Sequence, residues 1–387
     1  MLLALWRGTM QSPESFFKSI IASQIYSHID CLILVIHLNQ EISAFVKALS
    51  SFAKIAAILP KSSSKKHQNL DEFENNYKIL HYSRAEIIAD KENFLKQISK
   101  LVGTRQFAII DMGGYFSHVY IELLERFNNQ LIGLVEDTEN GHQKYEKAIV
   151  KSSKFQRKFP IISVARSTLK DPEDVLVGNA IVFSAEAILR SVGIILTGKK
   201  ILVIGFGKIG RSISSALLSR GIRVDIYDTN PIRLASSLSL GFHSASREEL
   251  LQCADIIFCA TGNGSIGLKD FVNLKNGLFL FSATSSDDEW QKCLIKEFKE
   301  NGNTKKKLIN YLTYNKKEIY ICNQGDSVNF VHGGVVGSFI NLVQGEILYA
   351  ISILEHTSPS QIYEIPDESK KFIATQWLKN HGIPSVN

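Results

Sequence analysis

The chain predicts an α/β fold in two domains, on three observations. Its 387 residues suit about two domains. Short apolar runs alternate with helical patterns from Cys31 to Val164. A second such series opens at Lys199 with a glycine-rich strand-to-helix turn. In order, Pro13–Ser27 has helical spacing, Cys31–Ile36 is a buried strand and Glu41–Phe52 is again helical. Ala53–Leu59 reads as a strand closed by Pro60, and Lys61–Leu70 as a polar loop. Phe107–Asp111 is a strand ending in Met112-Gly113-Gly114, and Gln130–Val135 one ending in Glu136-Asp137. Ile161–Val164 is strand-like. Strands alternating with helices give a parallel, helix-covered sheet. Ligands of such sheets sit at the carboxyl ends of strands, where His37, Asp111 and Asp137 fall. Glu173–Gly193 is a long helix leading into the second series, while Gly193–Leu196 suits a strand equally well. A last helix, Gly337–Ser352, is expected to return to the first domain. The expected division is 1–178, 179–336 and 337–387.

The stretch Lys199–Asp228, KKILVIGFGKIGRSISSALLSRGIRVDIYD, carries the most chemistry. Ile201–Ile204 is an apolar strand, and Gly205, Gly207 and Gly210 follow at G-x-G-x-x-G spacing. A helix pattern comes next (Ile213, Leu217, Leu218), then the strand Val224–Tyr227, ending at Asp228. The first glycine permits the tight turn, and the second lets backbone amides approach a pyrophosphate. The third lets helix and strand pack, and the helix start offers unpaired N–H groups to the anion. An acid after the second strand accepts hydrogen bonds from a ribose and repels a 2′-phosphate. This predicts a Rossmann domain that takes NAD. It continues through Ile256–Ala260 with Thr261-Gly262-Asn263, then Leu278–Phe281 with Ser282–Ser285.

Composition narrows the remaining classes. The net charge is only +6, and the lysines of SSSKKHQNL and NTKKKLIN lack interleaved aromatics. They read as solvated loops, so no nucleic-acid partner is expected. Cys31, Cys253, Cys259, Cys293 and Cys322 are scattered, without a C-x-x-C pair. Neither a disulfide framework nor a metal site is expected, and a reducing compartment fits. The opening MLLALW is too short for a signal segment, and no run reads as long enough to span a bilayer. The cytoplasm is expected, with no membrane partner.

The order of motifs resembles the S-adenosylhomocysteine hydrolase family over nearly the whole chain, with deletions. The family's histidine-methionine-threonine stretch and following glutamate look like His37-Leu38-Asn39-Gln40-Glu41. Its aspartate-aspartate-glycine-glycine strand end looks like Asp111-Met112-Gly113-Gly114. Its serine-glutamate-glutamate-threonine segment is similar to Val135-Glu136-Asp137-Thr138, with Gly141 and His142–Tyr145 following. The segment of the catalytic lysine, with an aspartate four residues on, resembles Ser167–Lys170 with Asp174. The NAD loop and its acid match Gly205, Gly207, Lys208, Ile209, Gly210 and Asp228, and a later turn matches Thr261, Gly262 and Asn263. The valine-asparagine pair looks like Val328-Asn329, the serine-phenylalanine helix start like Ser338-Phe339, and the penultimate helix like IPDESKKFIATQWLKNHGI.

The resemblance implies a Rossmann NAD domain inserted in an α/β substrate-binding domain. It also implies chemistry in which tightly held NAD oxidises a nucleoside 3′-hydroxyl, homocysteine is eliminated, water adds, and the hydride returns. Lys170 would be the base at the hydroxyl, Asp174 would orient it, and Asp137 would bind the ribose diol. His37 keeps a family histidine position. Glu41 would accept from an adenine amino group, and Thr138 and His332 would line the substrate. Asn329 would join the cofactor residues. The family's tail reaches a neighbouring subunit's NAD site, which implies a homo-oligomer, although this chain ends at Asn387 without the tail's lysine and tyrosine.

The elimination machinery departs from the family pattern. The second aspartate of the strand end is Met112. Ala283-Thr284-Ser285-Ser286-Asp287 lacks the family histidine, and Val331-His332-Gly333-Gly334 is a shortened loop. Val175, Asn179, Glu139 and Asn140 replace an asparagine, a cysteine and two threonines. The bland readings stay open at this level: Lys170 and Asp174 as an exposed i, i+4 ion pair, Glu41 as a first-turn residue, His37 as a structural histidine. The expected function is therefore a divergent NAD enzyme that reversibly oxidises a ribose-like or other hydroxyl of a small, adenosine-like substrate. S-adenosylhomocysteine hydrolysis and a non-catalytic NAD-binding regulator are the alternatives. A 2-hydroxyacid dehydrogenase would need an arginine and a histidine–carboxylate pair, and no such set stands out.

Overall fold

The computed structural model describes residues 12–383 except residues 27, 40, 62–69, 128, 153–157, 304–307 and 360. The MLLALW start, Gln40 and most of the two lysine-bearing loops lie outside the described residues. The chain forms two compact units: Met1–Lys170 with Gly337–Asn387, and Asp171–Val336. The second starts after Lys170 and not after Gly178, because the helix Asp171–Arg190 packs along its whole length with the second unit. Gly178 lets it ride directly on Ser212 and Ile213, and Ser212 Oγ donates to the Val175 carbonyl at 2.7 Å.

The strands are β1 (Cys31–Ile36), β2 (Lys54–Pro60), β3 (Phe107–Asp111), β4 (Leu131–Glu136), β5 (Ile161–Ser163), β6 (Ile201–Ile204), β7 (Val224–Tyr227), β8 (Ile256–Cys259), β9 (Phe279–Ser282), β10 (Ile309–Tyr314), β11 (Lys317–Cys322) and β12 (Ile362–Tyr363). The first unit's sheet runs β12-β5-β4-β3-β1-β2, and every pair is parallel. All six residues of β1 are buried. Leu32, Leu34 and Ile36 enter one core and Cys31, Ile33 and Val35 the other, as period-2 side chains of a doubly covered strand must. The helix Ile340–Ile353 returns to this unit and packs on the helices Pro13–Ile21 and Asp367–Asn380.

The segment 337–356 corrects the expectation that no run suits a bilayer: by length and composition alone it could cross one. It is poor in charge because neighbours cover most of it. Gly345 lies against Phe16 and Ile373, and Leu342, Val343, Ile347, Leu348 and Ile351 are buried.

The second unit's sheet runs β10-β11-β9-β8-β6-β7, parallel except for the β10–β11 hairpin. Sequence reading missed this hairpin. Its turn places Asn315 and Lys316 at φ 50° and 62°, and lysine in that region is not a turn signal. Gly193–Leu196 forms no strand; Ile194 closes the preceding helix by donating to the Leu189 carbonyl.

Candidate active site and cofactor cradle

In each unit the strand order reverses beside the first strand, between β1 and β3 and between β6 and β8. The loops leaving those strands therefore face a crevice at the carboxyl edge, where open α/β sheets bind ligands.

In the first unit two buried acids hold those loops. Asp111 accepts from the Tyr115 and Phe116 amides at 3.0 and 2.9 Å and from the Tyr145 hydroxyl. Glu136 accepts from the amides of Gly113 and Gly114, both at 2.9 Å, and from Thr138 N at 2.7 Å and Thr138 Oγ1 at 2.8 Å. Burial and the neighbouring Asp111 charge push the Glu136 carboxyl up to about 8, against the pull of those amides. Burial likewise raises Asp111.

This clamp fixes the chain just before Asp137, whose Oδ1 lies 2.8 Å from Lys170 Nζ. Both side chains are buried, so this pair is not a solvated surface bridge. Lys170 ends a 3-10 turn, Thr168–Lys170, that follows β5. Asp174 is buried in the helix Asp171–Arg190, with Oδ2 3.5 Å from Lys208 Nζ; Asp171 lies 2.9 Å from the same ammonium.

The remaining expected residues divide. His37 directly follows β1, half-buried, as expected for the crevice. Met112 is buried, its amide donating to the Val35 carbonyl at 3.1 Å. Thr138 caps the helix Glu139–Lys151, accepting from Gly141 N at 3.0 Å while donating to Glu136. Its hydroxyl is thus largely occupied by the loop. Glu41 Oε1 accepts from the Gly337 amide at 2.9 Å and so pins the returning segment. His332 Nδ1 lies 3.0 Å from Ser184 Oγ, and its ring meets Phe183 edge-on inside the second unit.

The cofactor loop has the geometry that a dinucleotide needs. Gly205 sits at φ 96° against the Ala260 carbonyl, and a side chain at Gly210 would run into the Gly205 carbonyl. Gly207 begins the helix Lys208–Leu218 without a side-chain cap, leaving the first-turn amides to an anion. Ile209 packs into the core beneath. Asp228, buried at the end of β7, accepts from Phe206 N at 2.6 Å and Asn230 N at 2.7 Å. A carboxylate offers about four acceptor directions, so two remain for a ribose diol. The residues fit NAD.

One contributor here escaped sequence reading. Glu289 is fully buried and accepts from Thr261 N and Oγ1, Gly262 N at 2.8 Å and Thr284 Oγ1 at 2.8 Å, fixing the turn after β8. Arg233 brings its guanidinium to within 3.7 Å of the place a Gly207 Cβ would occupy. The acids of the SSDDEW run gave no sign of which one turns inward. Asn263 shares the Thr261 turn, its amide donating to Thr261 Oγ1 at 3.1 Å. Asn329 is buried beside β9, accepting from Ser327 Oγ at 2.6 Å.

Fold and loop together define the class, an NAD-dependent enzyme with a Rossmann cofactor domain. Residues 182–334 match the profile of the S-adenosyl-L-homocysteine hydrolase NAD-binding domain. An adenosylhomocysteinase of Thermotoga maritima is 25% identical over 301 residues, 76% of this chain and 73% of that protein. An S-inosyl-L-homocysteine hydrolase of Methanococcus maripaludis is 27% identical over 305 residues, 76% of this chain and 70% of that protein. A glyoxylate reductase structure from Paecilomyes thermophila covers 88% of this chain and 99% of its own at 14% identity, with a TM-score of 0.45. The chain is thus similar to the S-adenosylhomocysteine hydrolases, through the match over its cofactor domain and through relatives about a quarter identical to it.

Proposed function

We propose that the protein reversibly oxidises a ribose-like hydroxyl of a nucleoside-type small molecule. The observation that carries this reading is the buried Lys170–Asp137 pair at the carboxyl edge of the first sheet. Bound NAD would supply the hydride acceptor and later the donor. Asp137 would accept hydrogen bonds from a vicinal diol, and Lys170 would take the hydroxyl proton as the carbonyl forms. A lysine serves as base only when its ammonium is disfavoured, and burial supplies that pressure. As long as Asp137 pairs with it, the charged form is favoured. A diol that engages Asp137 would therefore also release the base.

Elimination is the weaker half of the family chemistry here. Met112 transfers no proton, and the segment from Ala283 to Asp287 carries no histidine. Relatives named for adenosine-type and inosine-type thioethers both match, and Glu41, the expected purine reader, is engaged by Gly337. Both purine nucleosides therefore belong in the substrate panel. Five free thiols fit a reducing compartment, and we place the protein in the cytoplasm.

The test is direct. Adenosine, inosine and their homocysteine thioethers are added to NAD-loaded protein, and the reduced-nicotinamide absorbance is followed. A rise that Lys170→Met abolishes, with NAD binding intact, supports the reading. No rise across nucleosides and hydroxy acids makes a non-catalytic NAD-binding role the better account.

A further inference from the structure

We propose that Glu346 is a positioning residue for Lys170, a buried counter-charge that steadies the lysine and governs when it gives up its proton. This rests on the reading of Lys170 as the base. Glu346 lies on the helix Ile340–Ile353, in the same unit as Lys170, and is fully buried. Among the described residues neither of its carboxylate oxygens has a hydrogen-bond partner within 3.5 Å. An acid so placed is costly to keep unless a charge nearby answers it.

Its helix packs on β4, which ends in Glu136, and on the turns Gly337–Phe339 and Leu354–His356, the latter with Glu355 and His356; its other neighbours come from three places. Its helix packs on the 3-10 turn Thr168–Lys170, which brings Ser167 and Lys170. The helix Asp367–Asn380 brings Lys370, and the segment before it Glu364. The helix Pro13–Ile21 offers the buried side chains Phe16, Phe17 and Ile20. Lys370 is already answered by Glu364 at 2.8 Å and Asp367 at 3.3 Å. Asp137, which pairs with Lys170, is the group that a diol would draw away. Glu346, on the helix packed against the Lys170 turn, then remains as a buried carboxylate whose charge acts on Lys170.

Burial pushes the Glu346 carboxyl up to about 7, while the Ser167 hydroxyl, then Lys370 and then Lys170 pull it down and Glu364 pushes it up. Its charge thus changes near neutral pH, and with it the field at Lys170. An ionised Glu346 favours the Lys170 ammonium; a protonated one favours the free base.

Two measurements read this, one without turnover. The folded carboxyl lies above its ordinary value of 4.5, so the native state binds the extra proton. Its contribution to stability is full below 4.5 and is lost as pH rises to about 7. Thermal unfolding against pH is compared for wild type, Glu346→Gln, Lys170→Met and the pair Asp137→Asn/Lys170→Met, which removes both charges if the single variant fails to fold. Glu346→Gln should remove that loss. Removing the Lys170 cation should extend it to higher pH. In turnover, the acidic limb of the pH profile for NAD reduction should move to lower pH in Glu346→Gln, a displacement that loosened packing would not cause. The proposal is overturned if Glu346→Gln keeps the whole loss, if the Lys170 variants leave its position unchanged, or if the acidic limb stays in place. A wild type that reduces no NAD condemns the hydroxyl-oxidation reading alone, since the unfolding series still judges Glu346.

Discussion

Lys170 Nζ and Asp137 Oδ1 stand 2.8 Å apart, with side chains only 11% and 10% exposed. Removing one partner of a buried pair strands the other charge, at about 3–5 kcal/mol. Lys170→Met should therefore lower stability markedly, and Asp137→Asn/Lys170→Met should recover part of the loss. Both should abolish NAD reduction. Denaturant unfolding beside the absorbance assay separates the two effects; a single variant as stable as wild type would show that the pair is not the closed ion pair described.

Asp228 should decide the cofactor. Asp228→Ala removes both the ribose acceptor and the tie to Phe206 N and Asn230 N. NAD binding should weaken by about 1–3 kcal/mol, the scale for unpaired polar groups. Calorimetric titration should also find NAD tighter than NADP in the wild type, since the carboxylate repels a 2′-phosphate. Tighter NADP, aided by Arg233 near the loop, would reverse the assignment.

Gly210→Ala should be far worse than its single methyl suggests. The methyl meets the Gly205 carbonyl, which is backbone and cannot swing aside. Helix and strand must separate, and NAD retention through gel filtration should be lost.

Glu289→Gln tests the turn after β8. Its carboxylate receives only donors, from Thr261, Gly262 and Thr284. An amide puts an NH₂ against some of them, so a loss of about 1–3 kcal/mol is expected. Weaker NAD binding should accompany it, readable in the same titration.

Homocysteine release from S-adenosylhomocysteine should be absent or very slow. General acid–base groups contribute roughly 10²–10⁴-fold each, and two positions lack them. A thiol reagent reports the product. Release at an ordinary enzymatic rate would restore the hydrolase reading.

Glu41 and Thr138 show how far residue order reached. Their places in the chain are those of substrate residues in the family, yet one accepts from Gly337 and the other ties the Glu136 loop. A carboxylate's spare partner can lie 296 positions away, and nothing local announces it. Lys170, Asp174 and Asp137 were expected to converge at the sheet's carboxyl edge; Lys170 and Asp137, which each follow a strand of one parallel sheet, stand 2.8 Å apart, and Asp174 lies 3.5 Å from Lys208.

The sequence by itself determined the strand–helix alternation, the glycine loop and the acid after β7. These are short-range: each follows from apolar period, from a glycine where a side chain cannot fit, or from a strand's end. Only the tertiary structure decided which acids turn inward. Asp111, Glu136, Glu289 and Glu346 are all buried, but three are hydrogen-bonded to their loops and Glu346 is not. That difference depends on which amides and charges the fold brings within a few ångströms, and electrostatic cost is set by those neighbours, not by position in the chain.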